Sequence, residues 1–355
     1  MKKKFSIILL VTVLLSGCWD ERLNKNIVSV PMVAFDGEVG HLKGYYGLPG
    51  KQRNTTEYSY ITVDGTSIED LRQKVDLQVN EGIDLSKLSS ILISDELAEK
   101  ELYHLLDQYY RNARNRLNTY LLVTEGDPEP FIKFGEKMGD DVNNYYSELV
   151  QGFIHKSVFP NIDLQLACSY LMDEAIDLTL PYVKISSENG VPEVVGLALF
   201  DGQKFTGKTL NHVESLLLQV MKDKIGKYAN VSYIDNEVPV SFRINRIKRM
   251  MKWEGTTITI DYRLKVGIME YYENHLLDEN RKKKLEKFIQ EKMTSDMEKV
   301  VEILHESNTD ALGIGRIARA FHPDVFKEKK WKEIYPTLTI IPKVQVEITD
   351  TGVLD

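Results

Sequence analysis

A change of hydrophobic period in the C-terminal half is the strictest constraint on how this chain can fold. Val238, Val240, Phe242 and Ile244 alternate with other residues, and Ile258, Ile260, Tyr262, Leu264 and Val266 repeat the pattern. A period of two puts each set on one face of a half-buried strand. From about Asp278 to Glu306 the spacing becomes three and four, through Leu285, Phe288, Ile289, Met293, Met297, Val300, Val301 and Leu304. That is the stripe of one long amphipathic helix. A last alternation, Val344, Val346 and Ile348, ends at Asp350-Thr351-Gly352. One-sided strands and a one-sided helix have to cover each other, so this half reads as an antiparallel β-sheet packed with a long helix. The basic start of the helix, Arg281 to Lys284, reads as a solvated face.

The N-terminal half alternates strand and helix. Ile27 to Phe35 is β-rich and interrupted by Pro31, and Gly37, Gly40, Gly44, Gly47 and Gly50 then read as turns or a mobile loop. Glu57 to Val63 is a strand, after which Ser67 caps a helix bearing Ile68, Leu71, Val75 and Val79. Ser90 to Ile93 is a second strand, followed by a helix capped by Ser94 and carrying Leu97, Leu102, Leu105, Leu106 and Tyr109. Leu117 to Val123 is a third strand, and Asp127-Pro128 opens another helix. Such alternation builds α/β or α+β layers on one sheet. Asn189-Gly190-Val191-Pro192 punctuates the chain before a hairpin, Val194 to Phe200 and Lys204-Phe205 about Asp201-Gly202, and a helix from about Asn211 to Ile225. The fold class expected is multi-domain α+β, with an N-terminal region at 27–190 and a C-terminal domain at 193–355.

The N-terminus carries a targeting signal. Lys2, Lys3 and Lys4 precede an almost wholly apolar run from Phe5 to Leu15, roughly 17 Å as a helix against a hydrocarbon core of roughly 30 Å, too short to span. Leu15-Ser16-Gly17-Cys18 follows, small residues before a cysteine, as a lipoprotein signal peptidase requires; an ordinary secretory signal is the alternative. Residues 1–17 are expected to be removed between Gly17 and Cys18, leaving a lipidated tether at 18–26 with diacylglycerol on the Cys18 thiol. Two acyl chains anchor where one gives only marginal binding, about 10⁴ per molar. The leader holds three lysines and no acid, so its loss moves the formal charge from −8 to −11. A body this acidic is repelled by nucleic acid and by anionic lipid, which excludes nucleic-acid binding and leaves anchoring to the lipid. The chain has two cysteines, so Cys168 has no internal partner; lying between Leu164 and Leu171, it reads as a buried thiol.

No catalytic constellation emerges. The seven histidines, His41, His104, His155, His212, His275, His305 and His322, lie far apart and lack the spacings of metal ligands. Gly313-Ile314-Gly315 follows a long helix rather than a strand and reads as a helix end and tight turn, not a dinucleotide loop. No phosphate loop or Gly-x-Ser-x-Gly elbow occurs. Of each tyrosine doublet, Tyr45-Tyr46, Tyr109-Tyr110, Tyr145-Tyr146 and Tyr271-Tyr272, one member is expected in the core. No metal, cofactor or catalytic residue is expected.

The residues do resemble a known family. Gly17-Cys18-Trp19-Asp20 with Arg22, Val63-Asp64-Gly65-Thr66-Ser67-Ile68 and Ile91-Leu92-Ile93-Ser94-Asp95-Glu96-Leu97-Ala98 are similar to segments of the Ger(x)C spore germination lipoproteins, the C subunits of nutrient germinant receptors. So are Val195-Gly196-Leu197-Ala198-Leu199-Phe200 with Gly202, Lys204 and Gly207, then Asp310, Gly313, Gly315, Pro323, Trp331, Pro336 and the closing Val344-x-Val346-x-Ile348 with Gly352. The resemblance implies three domains, with a middle one at about 55–150, and a non-enzymatic subunit on the outer face of the spore inner membrane. Its partners would be a multi-spanning A subunit and a transporter-like B subunit; contact with a small-molecule germinant stays open. Trp19, Asp20, Gly196, Gly313, Gly315 and Trp331 are structural or partner-contact candidates. The alternative is a solute-binding lipoprotein of an importer, which would carry two parallel-sheet lobes about a cleft.

Overall fold

Alternating strands and helices in the N-terminal half assemble one broad sheet, and the sheet does not stop where the sequence is punctuated. The computed structural model describes residues 27–351 except 39, 51–57, 101, 113–114, 140–141, 236, 274–275 and 327–328. Gly17, Cys18, Trp19, Asp20, His275 and Gly352 therefore lie outside the described residues.

The elements run β1 Ile27–Ser29, β2 Met32–Glu38, β3 His41–Leu48, β4 Ser59–Gly65, α1 Ile68–Asp76, β5 Gly82–Asp84, β6 Ser90–Ser94, α2 Asp95–Ala98, α3 Leu102–Arg111 and β7 Tyr120–Thr124. Then come α4 Glu129–Lys133, α5 Gly135–Met138, α6 Val142–His155, α7 Leu164–Leu171, β8 Thr179–Ile185, β9 Pro192–Asp201, β10 Lys204–Asn211 and α8 His212–Met221. The chain closes with β11 Asn230–Asp235, β12 Val238–Glu254, β13 Thr257–Tyr271, α9 Glu279–Glu306, α10 Ile314–Phe321, α11 Trp331–Ile334 and β14 Thr339–Asp350.

Eight strands form the main sheet in the order β10-β9-β8-β7-β6-β2-β3-β4, and β1 pairs with β5 beside it. Its centre, β2-β6-β7-β8, is parallel. Helices cover both faces of a parallel sheet, which is why β6 and β7 carry continuous apolar runs, Ile91 to Ile93 and Leu121 to Val123, instead of alternating. Leu92 and Leu122 enter one core with α6 and α8, while Ile91, Ile93, Leu121 and Val123 enter a second with α1, α3 and α7. The first core continues without a break into the C-terminal sheet and α9.

That sheet, β11-β12-β13-β14, is antiparallel from β11 to β13, with Ile247 opposite Leu264 and Met251 opposite Ile260. The last strand joins in parallel, Ile260 opposite Pro342. A parallel neighbour needs a crossover, and α9 supplies it. Leu285, Ile289, Met293, Met297, Val300, Val301 and Leu304 are buried along α9, while Arg281, Lys283 and Lys284 at its start are exposed.

Several local readings change. The glycine-rich stretch is not a loop: β3 pairs with both β2 and β4 and is almost wholly buried. Glycine weakens strand propensity, but here neighbours occupy the space a side chain would take: a Cβ on Gly47 would lie 2.7 Å from the Tyr58 hydroxyl and one on Gly44 3.0 Å from Leu71. The helix after Ser94 is two helices, α2 and α3, and Val79 falls beyond the end of α1. Residues 190–192 form a turn inside the main sheet, with Ser186 N–H donating to Val191 O at 2.9 Å and β8 pairing with β9 on either side. The hairpin β9–β10 thus completes the sheet begun by β2. Of the doublets, Tyr45 and Tyr46 are both buried, because they face the two different cores.

Gly196 faces the sharpest contact in this hairpin: a Cβ there would lie 1.9 Å from the carbonyl oxygen of Leu210. Gly196→Ala should force β9 and β10 apart and cost about 3 kcal/mol, read as a lowered urea midpoint; an unchanged midpoint would refute the close approach.

Candidate functional site

Past the end of α9 the chain turns through Ser307, Asn308 and Thr309 into Asp310, a carboxylate with no exposure at all. Gly313 occupies the N-cap of α10 in the left-handed region, φ +69°, and has no side chain to cap the helix. Asp310 does so instead: Oδ1 accepts from Ile314 N–H at 2.9 Å and Oδ2 from Gly315 N–H at 2.7 Å. The indole Nε1–H of Trp331 adds a third donor to Oδ2 at 3.0 Å. Trp331 is 1% exposed and stacks on Phe326 with centroids 5.5 Å apart. The indole can sit there because position 315 is glycine; a Cβ would come within 2.7 Å of the ring and of Ala175 O.

A second buried acid joins this one from the other half of the chain. Asp177, just before β8, donates its N–H to Asp310 O at 3.1 Å and accepts Asp310 N–H on Oδ2 at 2.6 Å. Its Oδ1 accepts from Gly202 N–H at the β9–β10 turn, and Lys332 Nζ lies 2.6 Å and 2.7 Å from its two oxygens. Lys332 also donates to Asn308 O at 3.0 Å and pairs with Asp201 at 2.5 Å. At the rim, Asp173 holds Arg316 at 2.8 Å and Arg319 at 3.0 Å, and Arg316 covers the Tyr170 ring. The main sheet, the end of the long helix and α11 are thus tied through two carboxylates.

Burial pushes Asp310 up to about 6, against the pull of its three N–H donors. Burial raises Asp177 too, despite Lys332. Asp173 goes the other way: burial is outweighed by Arg319, the Ala175 N–H and Arg316, which hold it below the usual range. Every oxygen of the two buried acids is taken up by protein donors, so the arrangement is a joint between layers rather than a reactive centre. Elsewhere, Cys168 is fully buried and burial raises its thiol to about 11. Among the described residues no group of three or more histidine, cysteine or acidic side chains could hold a metal ion.

Gly313, Gly315 and Trp331 come together here, whereas Gly196 sits apart in the β9–β10 hairpin. Asp177, Asp201 and Lys332 were not readable as part of this site, since nothing in sequence spacing joins positions more than 130 residues apart.

Comparison with known proteins gives a consistent set of likenesses. The profile of the spore germination protein N-terminal domain matches residues 20–185, and that of the spore germination B3/GerAC-like C-terminal domain matches residues 195–352. The chain is 23% identical to spore germination protein GerQC of Bacillus cereus over 99% of this chain and 100% of that one. It is 21% identical to spore germination protein KC of Bacillus subtilis (strain 168) over 98% and 95%. The crystal structure of the GerBC protein superposes with a TM-score of 0.59 at 18% identity, covering 90% of this chain and 97% of that one.

Two measurements probe the joint. Trp331→Ala should cost about 4 kcal/mol, because it opens a cavity and strips a donor from a buried carboxylate; an unchanged melting temperature would show that the indole is not core. The Asp310 carboxyl carbon should titrate by NMR near pH 6 rather than near its ordinary 3.8. The sign follows: in that window the folded state binds a proton the unfolded state has released, so this group's contribution to stability falls as pH rises, by about 3 kcal/mol. A titration at or below pH 4 would reverse the prediction.

Proposed function

The chain belongs to the Ger(x)C family of spore germination proteins, and from that premise we propose that it is the lipid-anchored subunit of a nutrient germinant receptor, acting by assembly and signal transmission without catalysis. The observation that carries the non-catalytic part is the Asp177–Asp310 joint. Its buried polar groups are spent on holding the main sheet, the long helix and α11 together, and no reactive oxygen is presented to a substrate.

Anchoring rests on Cys18. Cleavage between Gly17 and Cys18 and acylation of the thiol would hold the protein on the outer face of the spore inner membrane, beside an A and a B membrane subunit. Among the described residues no helix is long and apolar enough to cross a membrane. Trp19 and Asp20, next to the anchor, are candidate contacts with those subunits. The importer reading is less well supported, because the eight-stranded main sheet and the four-stranded, largely antiparallel C-terminal sheet are not two similar parallel-sheet lobes.

Deleting the gene should abolish germination by one class of nutrient while triggers that bypass receptors still act; loss of solute uptake with germination intact would favour an importer. Cys18→Ala should leave the protein without an acyl adduct by intact-mass analysis and release it from the inner-membrane fraction. An acyl adduct on that variant would refute Cys18 as the attachment site.

A further inference from the structure

At the seam between the two apolar cores lies a cavity of about 450 Å³ that the joint does not use. Phe159, with the first core, and Ile162, with the second, form its apolar walls, together with Ile225 and the ring of Tyr170. That volume suits a small molecule. Two polar side chains from the C-terminal end of α8 also line it, Gln219 and Lys222.

Gln219 is the informative one. It has no solvent exposure, and neither its amide nitrogen nor its amide oxygen has a hydrogen-bond partner among the described residues. A buried amide left wholly unpaired is costly, and native folds retain such groups where something else completes them. Lys222 is half-buried, with Lys224, Arg249 and Arg316 acting on its charge. The Nε and Nη2 of Arg249 are themselves buried and unpaired among the described residues. Burial, together with these neighbouring cations and against the pull of Asp310, lowers the Lys222 ammonium to about 8. An apolar chamber with an unpaired amide at its edge and a cluster of cations behind it is built for an anion with a greasy body.

The mouth is rigidly made. A Cβ on Gly226 would lie 2.1 Å from Ile154 O, so the loop leaving α8 presses directly on the end of α6. Ser157, at φ +63°, accepts Gly226 N–H at 2.9 Å and donates to Tyr228 O at 2.9 Å, while Tyr228 N–H reaches His155 O at 2.7 Å. These bonds hold the lip in place without filling the chamber, so the site is formed in advance of any ligand.

We propose that this cavity binds a small amphipathic carboxylate, with Gln219 and Lys222 holding the carboxylate and the Phe159, Ile162 and Ile225 walls holding the apolar chain. The proposal goes beyond the receptor reading and stands on the cavity alone, so it can fail while that reading survives. The probe is 4-methylpentanoate, with 4-methylpentanamide as the uncharged control, titrated by calorimetry into the full chain in detergent. The carboxylate should bind with a sub-millimolar Kd and the amide at least tenfold more weakly. Lys222→Met should abolish the preference for the carboxylate. Gln219→Leu should weaken carboxylate binding at least tenfold while leaving the melting temperature unchanged or higher, since it removes an unpaired buried amide; a glutamine serving only the fold would lower it. No heat with either probe on folded wild-type protein, or wild-type affinity in Lys222→Met, would overturn the site.

Discussion

The buried carboxylate of Asp310 is the interaction on which the arrangement of layers depends. Three N–H donors converge on it, two from the first turn of α10 and one from the Trp331 indole, while its own backbone exchanges two hydrogen bonds with Asp177. Removing a carboxylate from water is costly, and the cost is tolerable only because every oxygen is satisfied. The geometry that satisfies it admits few alternatives. The end of α9, the start of α10 and the approach to β8 must meet at one point, and Gly313 and Gly315 are the residues that let the backbones and the indole come that close.

From that point the rest follows outward. Lys332 carries the tie on to Asp201 at the β9–β10 turn, so the edge hairpin of the main sheet is held to the C-terminal helices by charge as well as by apolar contact. The main sheet separates two cores, and only the first runs on into the C-terminal sheet. Movement of α9 against the main sheet would have to break bonds to buried charges, although residues 186–194 separate the two matched family domains. The seam cavity sits beside this joint, between elements that belong to different cores.

Much of the secondary structure was legible because one-sided burial leaves a periodic trace. The alternation through Val238 to Ile244 and Ile258 to Val266, and the stripe of α9, appear where expected, since each is buried on one face. Ser67 and Ser94 cap the helices they precede for a local reason, a side-chain oxygen accepting from an N–H three residues on. β3 was misread because its glycines register as turn residues, whereas their purpose is to make room for Tyr58 and Leu71, which come from elsewhere in the chain.

A family resemblance marked Asp310, Gly313, Gly315 and Trp331 without their bonds, and sequence alone determined the α+β class, the caps, the amphipathic faces and the absence of an internal disulfide. Those properties are local, or depend on spacing along one element. Only the tertiary structure decided that residue 190 turns within a sheet, that Asp177 and Lys332 complete the joint, and that Gln219 is left unpaired against a cavity. Each of these requires residues far apart in the chain to meet, and partners brought together by packing leave no period or spacing in the sequence.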